Sequence, residues 1–366
     1  MSHDPFVARL SGGLARVPLL PADAAHEDSL PGTDPLLVEG MLVASRQAGA
    51  AALATSPLDE RWVVTLRGYE IRARWRPTPH GVFVGVACAR FLRGVSGLRL
   101  GEGHRARSNP SADWLAAVSA QSLNDLDVVW RLTLTTSNLV IRRGRRFEQE
   151  QQVPVGGTGP QRVTVRATEA TVLILRTCQA GATLGQVIRE VRRRWPSVAE
   201  LVVTTTVVRL IRYGFLLTDL LPENVNADPL RHMLDKLPAA HAVRQDISGL
   251  RRLLADADRY SPGDPTRLTA LCTARDLADK ICFAERALTV DVVADAHILL
   301  PISLADDAAR AAGVLWRIGC GRDPLIGYHG RFLDRYGPHR LVPLPEAADP
   351  AIGVGIESET YSDWWP

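Results

Sequence analysis

The stretch QRVTVRATEATVLILRTCQAGATLGQVIREVRRRWPSVAELVVTTTVVRLIRYGFLL, Gln161 to Leu217, decides the fold. Val163 and Val165 alternate with polar neighbours, as in a short strand. Thr168 opens a helix with Val172, Leu173 and Leu175 apolar. Gly181-Ala182-Thr183 is a turn, and Thr183 can cap a second helix. The apolar residues of that helix, Leu184, Val187, Ile188 and Val191, fall at three- and four-residue spacing until Trp195-Pro196 ends it. A third helix spans Val198 to Tyr213, with Leu201, Val207, Val208, Leu210 and Ile211 apolar. Gly214 suits the position after its end, and Phe215-Leu216-Leu217 returns as strand. A strand, three helices and a strand in this order make a winged helix-turn-helix.

Upstream, residues 10–35 are rich in Gly, Pro and Asp and predict a loop, after which Pro35 opens a helix over Leu36–Gln47. Residues 62–77 mix apolar and Arg residues, and Val82–Val86 predicts a strand. Trp114–Val118 predicts a helix started by Ser111 or Asp113. From 126 to 153 the pattern is β: Val128, Trp130, Leu132 and Leu134 alternate with Val129, Arg131 and Thr133, with turns at Asn138 and Arg143-Gly144-Arg145. Gly156–Pro160 is a break. Downstream, 228–288 predicts helices interrupted at Pro238, Pro262 and Pro265, then a strand over Thr289–Val293 and helices over Asp306–Ile318 and Tyr328–Tyr336. The expected class is α+β, with mixed helices and antiparallel strands around the winged unit. The expected segments are 1–160, 161–222 and 223–366.

The 366 residues are 46% hydrophobic and 23% charged, which excludes collagen, a coiled coil and a long disordered tail. No window of 18 apolar residues predicts a membrane span, and Met1–Arg9 lacks the pattern of a signal peptide, so the expected location is cytoplasmic. Five Cys without a C-x-x-C pair predict small buried apolar residues in a reducing cytosol. Nine scattered His without H-E-x-x-H predict no metal, and neither a G-x-S-x-G elbow nor a Walker A loop is present. Gly101-Glu102-Gly103-His104 and Gly353-Val354-Gly355 read as turns.

Net charge is only +3, but just two of the 43 Lys and Arg residues are Lys, at 236 and 280. Arg holds phosphate or carboxylate with two parallel hydrogen bonds, which Lys does not. In an extended segment Arg72, Arg74 and Arg76 would share one face, and three guanidinium groups there repel one another unless an anion sits among them. Pro77 and Pro79 stiffen the chain around Thr78. Arg189, Arg192, Arg193 and Arg194 on the second helix of the winged unit, and Arg142, Arg143, Arg145 and Arg146 at a hairpin, are solvated runs or phosphate contacts. Asp291 lies mid-strand, where β-propensity disfavours it unless it is paired or faces solvent.

Pro5-Phe6-Val7-Ala8-Arg9 and the run Arg72…Arg76-Pro77-Thr78-Pro79-His80-Gly81-Val82-Phe83 occur in that order. They are followed by Asp113-Trp114-Leu115, Leu288-Thr289-Val290-Asp291, Phe332-Leu333-Asp334-Arg335-Tyr336-Gly337 and Val342-Pro343-Leu344…Asp349-Pro350-Ala351-Ile352-Gly353-Val354-Gly355. Together they resemble the N-terminal part of the lantibiotic dehydratase family, along almost the whole chain. His80 stands where the family has Phe, and Ser111 where it has an acid.

The resemblance implies an incomplete glutamylation domain that takes glutamate from glutamyl-tRNA, a co-substrate rather than a cofactor, and esterifies Ser and Thr of a precursor peptide. An elimination domain or subunit then leaves dehydroalanine or dehydrobutyrine. Another Arg of the transfer site, and that elimination domain, lie beyond residue 366 in relatives. Transfer residues implied are Arg9, Arg72, Arg76, Thr78 and Asp291, with Arg74, Arg142 and Arg143 as tRNA contacts. The winged unit is implied to bind the leader of the precursor by strand addition beside Val202, Val207, Leu210 and Ile211, residues that suit core as well as groove. A second copy of the chain is a further candidate partner. Competing readings are a non-catalytic leader-binding escort or split subunit, a relative that appends an amino acid to a peptide from aminoacyl-tRNA, and a winged-helix DNA regulator. Against the last stand the near-neutral charge and Thr204-Thr205-Thr206 where a basic recognition helix is expected.

Overall fold

The computed structural model describes residues 12–20, 34–53, 60–76, 81–94, 96–152, 161–224, 227–319 and 326–355. The chain divides into two compact units. The larger holds Leu14–Cys88 and Leu98–Ile298, and the smaller holds Met1–Gly13, Ala89–Gly97 and Leu299–Pro366.

Where Gly and Pro content predicts a loop, the chain forms a strand, β1 (Gly12–Pro18). Asp34 caps α1 (Pro35–Ala44) by accepting from the Leu36 and Leu37 N–H groups. The helix breaks at Ser45, so the expected continuation to Gln47 belongs to a second helix, α2 (Arg46–Leu53). α3 (Glu60–Trp75) is helical through the Arg run that alternation predicts to be extended. A single 3-10 turn, Gly81–Phe83, replaces the expected start of the next strand, β2 (Val84–Leu92). β3 (Gly97–Leu100) and β4 (Arg105–Pro110) follow. Ser111, not Asp113, caps α4 (Ala112–Ser122) through the Trp114 N–H.

The expected alternation over 126–132 is instead a helical turn, α5 (Leu126–Val129), capped by Asp125, with Val128 and Val129 both buried. Strands β5 (Thr133–Thr136), β6 (Ile141–Arg143), β7 (Arg146–Gln152) and β8 (Gln161–Arg166) precede three helices, α6 (Glu169–Thr177), α7 (Leu184–Arg194) and α8 (Glu200–Arg212). The short β9 (Ala182–Thr183) lies before α7, and β10 (Leu216–Thr218) closes the run. Then come α9 (Pro229–Lys236), α10 (Arg244–Ala257) and α11 (Pro265–Ile281). Pro265 does not interrupt a helix; it starts α11 at the first turn, behind the Asp264 cap. β11 (Leu288–Val293) and β12 (Ala296–Pro301) lead into α12 (Ile302–Gly319), α13 (Ile326–Tyr336) and α14 (Leu344–Ala348).

In the larger unit β11 runs antiparallel to β4 and parallel to β2. The parallel pairing departs from the antiparallel expectation. The winged unit begins upstream of residue 161: β8 pairs with β7, β7 with β6, and β10 with β5. Its core joins Val129 and Leu134 to Ile174, Leu184, Val187, Val207, Leu210 and Phe215. Thr168 caps α6, and Thr183 caps α7 in a reciprocal box with Gln186. Gly214 takes φ +73° after α8, a conformation that favours glycine. A second core gathers α4, α9, α10 and α11 around Trp114, Met233, Leu250 and Leu271. The fully buried Arg267 of α11 pairs with the equally buried Glu39 of α1 at 2.7 Å.

In the smaller unit Tyr328, Phe332 and Tyr336 line one side of α13, their ring centroids 6.3 and 5.0 Å apart. The Val354 and Gly355 N–H groups both donate to the Ala347 carbonyl, which folds the Gly353-Val354-Gly355 turn onto α14. No helix among the described residues is long and apolar enough to cross a membrane.

Candidate functional site

The Arg run is ordered by the helix that carries it. On α3, Leu66 and Ala73, seven residues apart, are fully buried. Glu70 binds Arg67 at 2.9 Å and Arg74 at 3.1 Å, three and four residues away. Arg74 is therefore buried, with its charge directed to Glu70. In a helix residues two apart point to different sides, so the three guanidinium groups do not share a face. Arg72 and Arg76 are instead one turn apart, and the Arg76 N–H donates to the Arg72 carbonyl just past the helix end. Arg76 is exposed, and Arg72 lies 5.5 Å over the Phe83 ring. Tyr69 stacks on the same ring at 5.8 Å. Gly40 of α1 admits that ring, because a Cβ there would collide with it. Arg9 and Thr78 lie outside the described residues.

Phe83 leads into β2, whose Gly85 and Val86 register with Val292 and Val293 of β11. A side chain at Gly85 would meet Ala294, so glycine permits this close approach. β11 buries Leu288, Val290 and Val292 and exposes Asp291 and Val293. Asp291 is opposite Arg107 of β4, and Val293 is opposite Arg105; both Arg are exposed. The sheet thus presents the Asp291 carboxylate beside two cations of β4. Such a face can take an ammonium group at Asp291 and a phosphate or carboxylate at the Arg side chains. Arg107 is a member of this face that sequence reading misses, because its pairing with Asp291 spans 184 residues of chain.

The winged unit separates its four candidates. Val207 and Leu210 are buried core and Ile211 packs against that core, whereas Val202 is 58% exposed. Leu201 beside it is 71% exposed, although the apolar pattern of the third helix suggests core. The Thr205 and Thr206 hydroxyls donate back to the Leu201 and Val202 carbonyls. The exposed part of α8 therefore offers apolar surface rather than free hydroxyls. β8 is an edge of the three-stranded β6-β7-β8 sheet. At the hairpin, Arg142 lies 5.9 Å over Phe147 and Arg143 pairs with the buried Glu148 at 3.4 Å.

Burial pushes the Cys178 thiol up to about 11. Cys88 is exposed, against the expectation that the cysteines are buried, and Cys320 lies outside the described residues. Among the described residues no group of three or more His, Cys, Asp or Glu side chains is placed to hold a metal.

Known proteins resemble this chain. The crystal structure of the tRNA-dependent lantibiotic dehydratase MibB from Microbispora sp. 107891 superposes with a TM-score of 0.77 at 25% identity, over 88% of this chain and 33% of that one. The glutamylation domain of TbtB, from thiomuracin biosynthesis, shares the fold with a TM-score of 0.59 at 16% identity, over 85% of this chain and 39% of that one. The subtilin biosynthesis protein SpaB of Bacillus subtilis is 26% identical over 213 residues, 56% of this chain and 20% of SpaB. The chain thus spans about a fifth of SpaB and a third of MibB. The profile of the family "Lantibiotic dehydratase, N terminus" matches residues 33–363, and the chain belongs to that family.

Proposed function

We propose that this chain binds the leader of a ribosomal precursor peptide on its winged unit and serves the transfer of glutamate from glutamyl-tRNA to Ser and Thr side chains. The observation that carries this reading is the likeness of 88% of the chain to a tRNA-dependent lantibiotic dehydratase. The leader adds as a strand to the open edge of β8, through main-chain hydrogen bonds, with the exposed apolar part of α8 as further contact surface. In the transfer, the Ser or Thr hydroxyl oxygen attacks the acyl carbon of the glutamyl ester. The bond to the tRNA ribose breaks, and the ribose oxygen takes the proton.

Arg72 and Arg76 hold the terminal phosphate of the tRNA or the glutamyl side-chain carboxylate, with Arg9 and Thr78 at the same site. Asp291 holds the glutamyl ammonium group. An elimination domain or subunit then removes glutamate, a far better leaving group than hydroxide. Charged tRNA is a cytosolic molecule, so this reading is a cytosolic one.

The DNA-regulator alternative is disfavoured by α8, whose exposed Leu201 and Val202 and back-bonded threonines offer little to base edges. The test is a fluorescence anisotropy titration of the chain with the labelled leader of the precursor encoded beside it. A Kd well below about 1 mM is expected; weaker binding leaves only non-specific contact and overturns the reading.

A further inference from the structure

The winged unit carries a basic groove lined by residues other than those given to the leader above. It measures about 510 Å3 and is lined by Trp130, Gly185, Arg189, Arg192, Arg193 and Glu200, among others. The three Arg stand at helical spacing on α7, whose opposite side buries Leu184, Val187, Ile188 and Val191. Arg193 pairs with Glu190 at 2.8 Å. Arg189 and Arg192 make no hydrogen bond, ion pair or ring contact among the described residues. Two unpaired guanidinium groups three residues apart repel one another and contribute nothing evident to a helix already fixed by its apolar stripe and its capping box.

The groove also has an aromatic wall. Trp130 is 41% exposed, and a Cβ on Gly185 would stand 3.1 Å from its ring, so glycine lets the ring lie against the first turn of α7. Arg189 is one turn further along. At the other end α8 starts at Glu200 behind Ala199, which supplies no side-chain cap, so first-turn N–H groups add positive potential there. Glu200 is the one acid in the lining, against three Arg. Arg193 also lines a second groove of about 550 Å3 with Arg142, Arg176, Arg194 and Trp195, where Glu169 and Glu190 lie among the cations.

Unpaired guanidinium groups beside an exposed indole suit a chain of phosphates with planar bases, the chemistry of a nucleic acid. An acidic peptide satisfies the charge but has no ring for Trp130. We propose that this groove is an RNA contact, in which Arg189 and Arg192 take backbone phosphates of the tRNA and Trp130 stacks on a base or packs on a ribose. The proposal rests on the reading that charged tRNA is the co-substrate, and it adds a docking surface on a unit otherwise given to peptide recognition.

The experiment uses a labelled, uncharged glutamate-tRNA transcript and the full chain, titrated by anisotropy at several salt concentrations. The variants are Arg189→Glu/Arg192→Glu and the milder Arg189→Gln/Arg192→Gln, with thermal melts showing that each folds. Affinity for the transcript is expected to fall at least tenfold in the charge-reversed pair and by less in the Gln pair. Losing two phosphate contacts should lower the slope of log K against log salt by about 1.4–1.8. Leader affinity should not change. Unchanged RNA affinity and slope in both variants overturn the groove assignment while leaving tRNA as co-substrate. Loss of leader affinity in place of RNA affinity shows that the groove reads peptide and overturns it too. A wild-type chain that binds no transcript overturns the co-substrate reading itself, and the groove assignment with it.

Discussion

Arg267 holds a charge where water does not reach. Its Nε donates to Glu39, one terminal nitrogen to the Ala257 carbonyl and Asp258, and the other to the Ser108 hydroxyl. Glu39 uses its second oxygen to accept from the Gly263 N–H, and Asp258 accepts from the Ser108 N–H. One guanidinium thus joins α1, α11, β4 and the end of α10, the frame on which the Asp291 face is built. A buried pair is weak evidence of net stability, but breaking one is costly, because the remaining charge loses both water and partner. Arg267→Met is expected to destabilise the chain by about 3–5 kcal/mol. Urea unfolding would read this as a lower midpoint at an unchanged slope. Glu39→Leu combined with Arg267→Met should recover part of the loss, since no isolated carboxylate then remains at position 39. A double variant as unstable as the sum of its parts would mean that the two residues act independently.

The elements of the winged unit are tied to the rest of the larger unit by Asp219, just after β10. Its carboxylate accepts from the Thr133 N–H at 2.8 Å and from Lys236 of α9 at 2.5 Å. Burial raises its pKa, but the hydrogen bonds from Lys236 and Thr133 and the Lys236 charge outweigh that, holding it below its ordinary value of 3.8. A carboxyl whose pKa is depressed by folding stabilises above its unfolded pKa and loses that contribution as pH falls through the folded value. Asp219→Asn should therefore cost about 1–3 kcal/mol at neutral pH. The gap between wild type and variant should close as pH falls below about 4. Denaturant unfolding at both pH values checks this, and a gap that persists in acid would assign the loss to shape rather than charge.

The helix ends of this unit are legible from sequence because each is a local pattern: Thr168 before α6, Thr183 before α7, Gly214 after α8. α3 is not. Arg72, Arg74 and Arg76 imitate a two-residue period, while the helical ties from Glu70 to Arg67 and Arg74 hide among other charges. α5 buries consecutive Val128 and Val129, which no strand alternation permits. The parallel pairing of β2 with β11 is set by contacts far apart in the chain, as is the placement of Arg107 opposite Asp291. Arg72 and Arg76 stand out in the sequence as part of an Arg run and Asp291 as a mid-strand acid, but only the resemblance joins them in one site, since no spacing rule links them.

Across the whole molecule, the proposed reading assigns peptide recognition and glutamyl transfer to different packing units, and this separation is testable. Val202 is exposed on α8 within the winged unit, whereas Arg76 follows α3, which packs on a core with Phe83, Leu37 and Met41. Val202→Asp puts a charge on the exposed apolar part of α8 without opening the core. It should weaken leader binding by anisotropy and slow transfer only at low precursor concentration, because added peptide restores occupancy. Arg76→Lys keeps the charge but loses the planar fork, so a bidentate contact to phosphate or carboxylate loses one hydrogen bond. A charge-assisted bond is worth roughly 1.5–3 kcal/mol, or roughly tenfold to a hundredfold in rate when it is felt in the transition state. With the chain joined to the rest of the glutamylation domain, glutamyl transfer from charged tRNA to precursor, followed by mass spectrometry, should fall by that factor in Arg76→Lys at every precursor concentration, with leader affinity unchanged. Transfer at the wild-type rate would show that the Arg72–Arg76 turn is structural. Equal losses of transfer and leader affinity would show that the two units work as one surface.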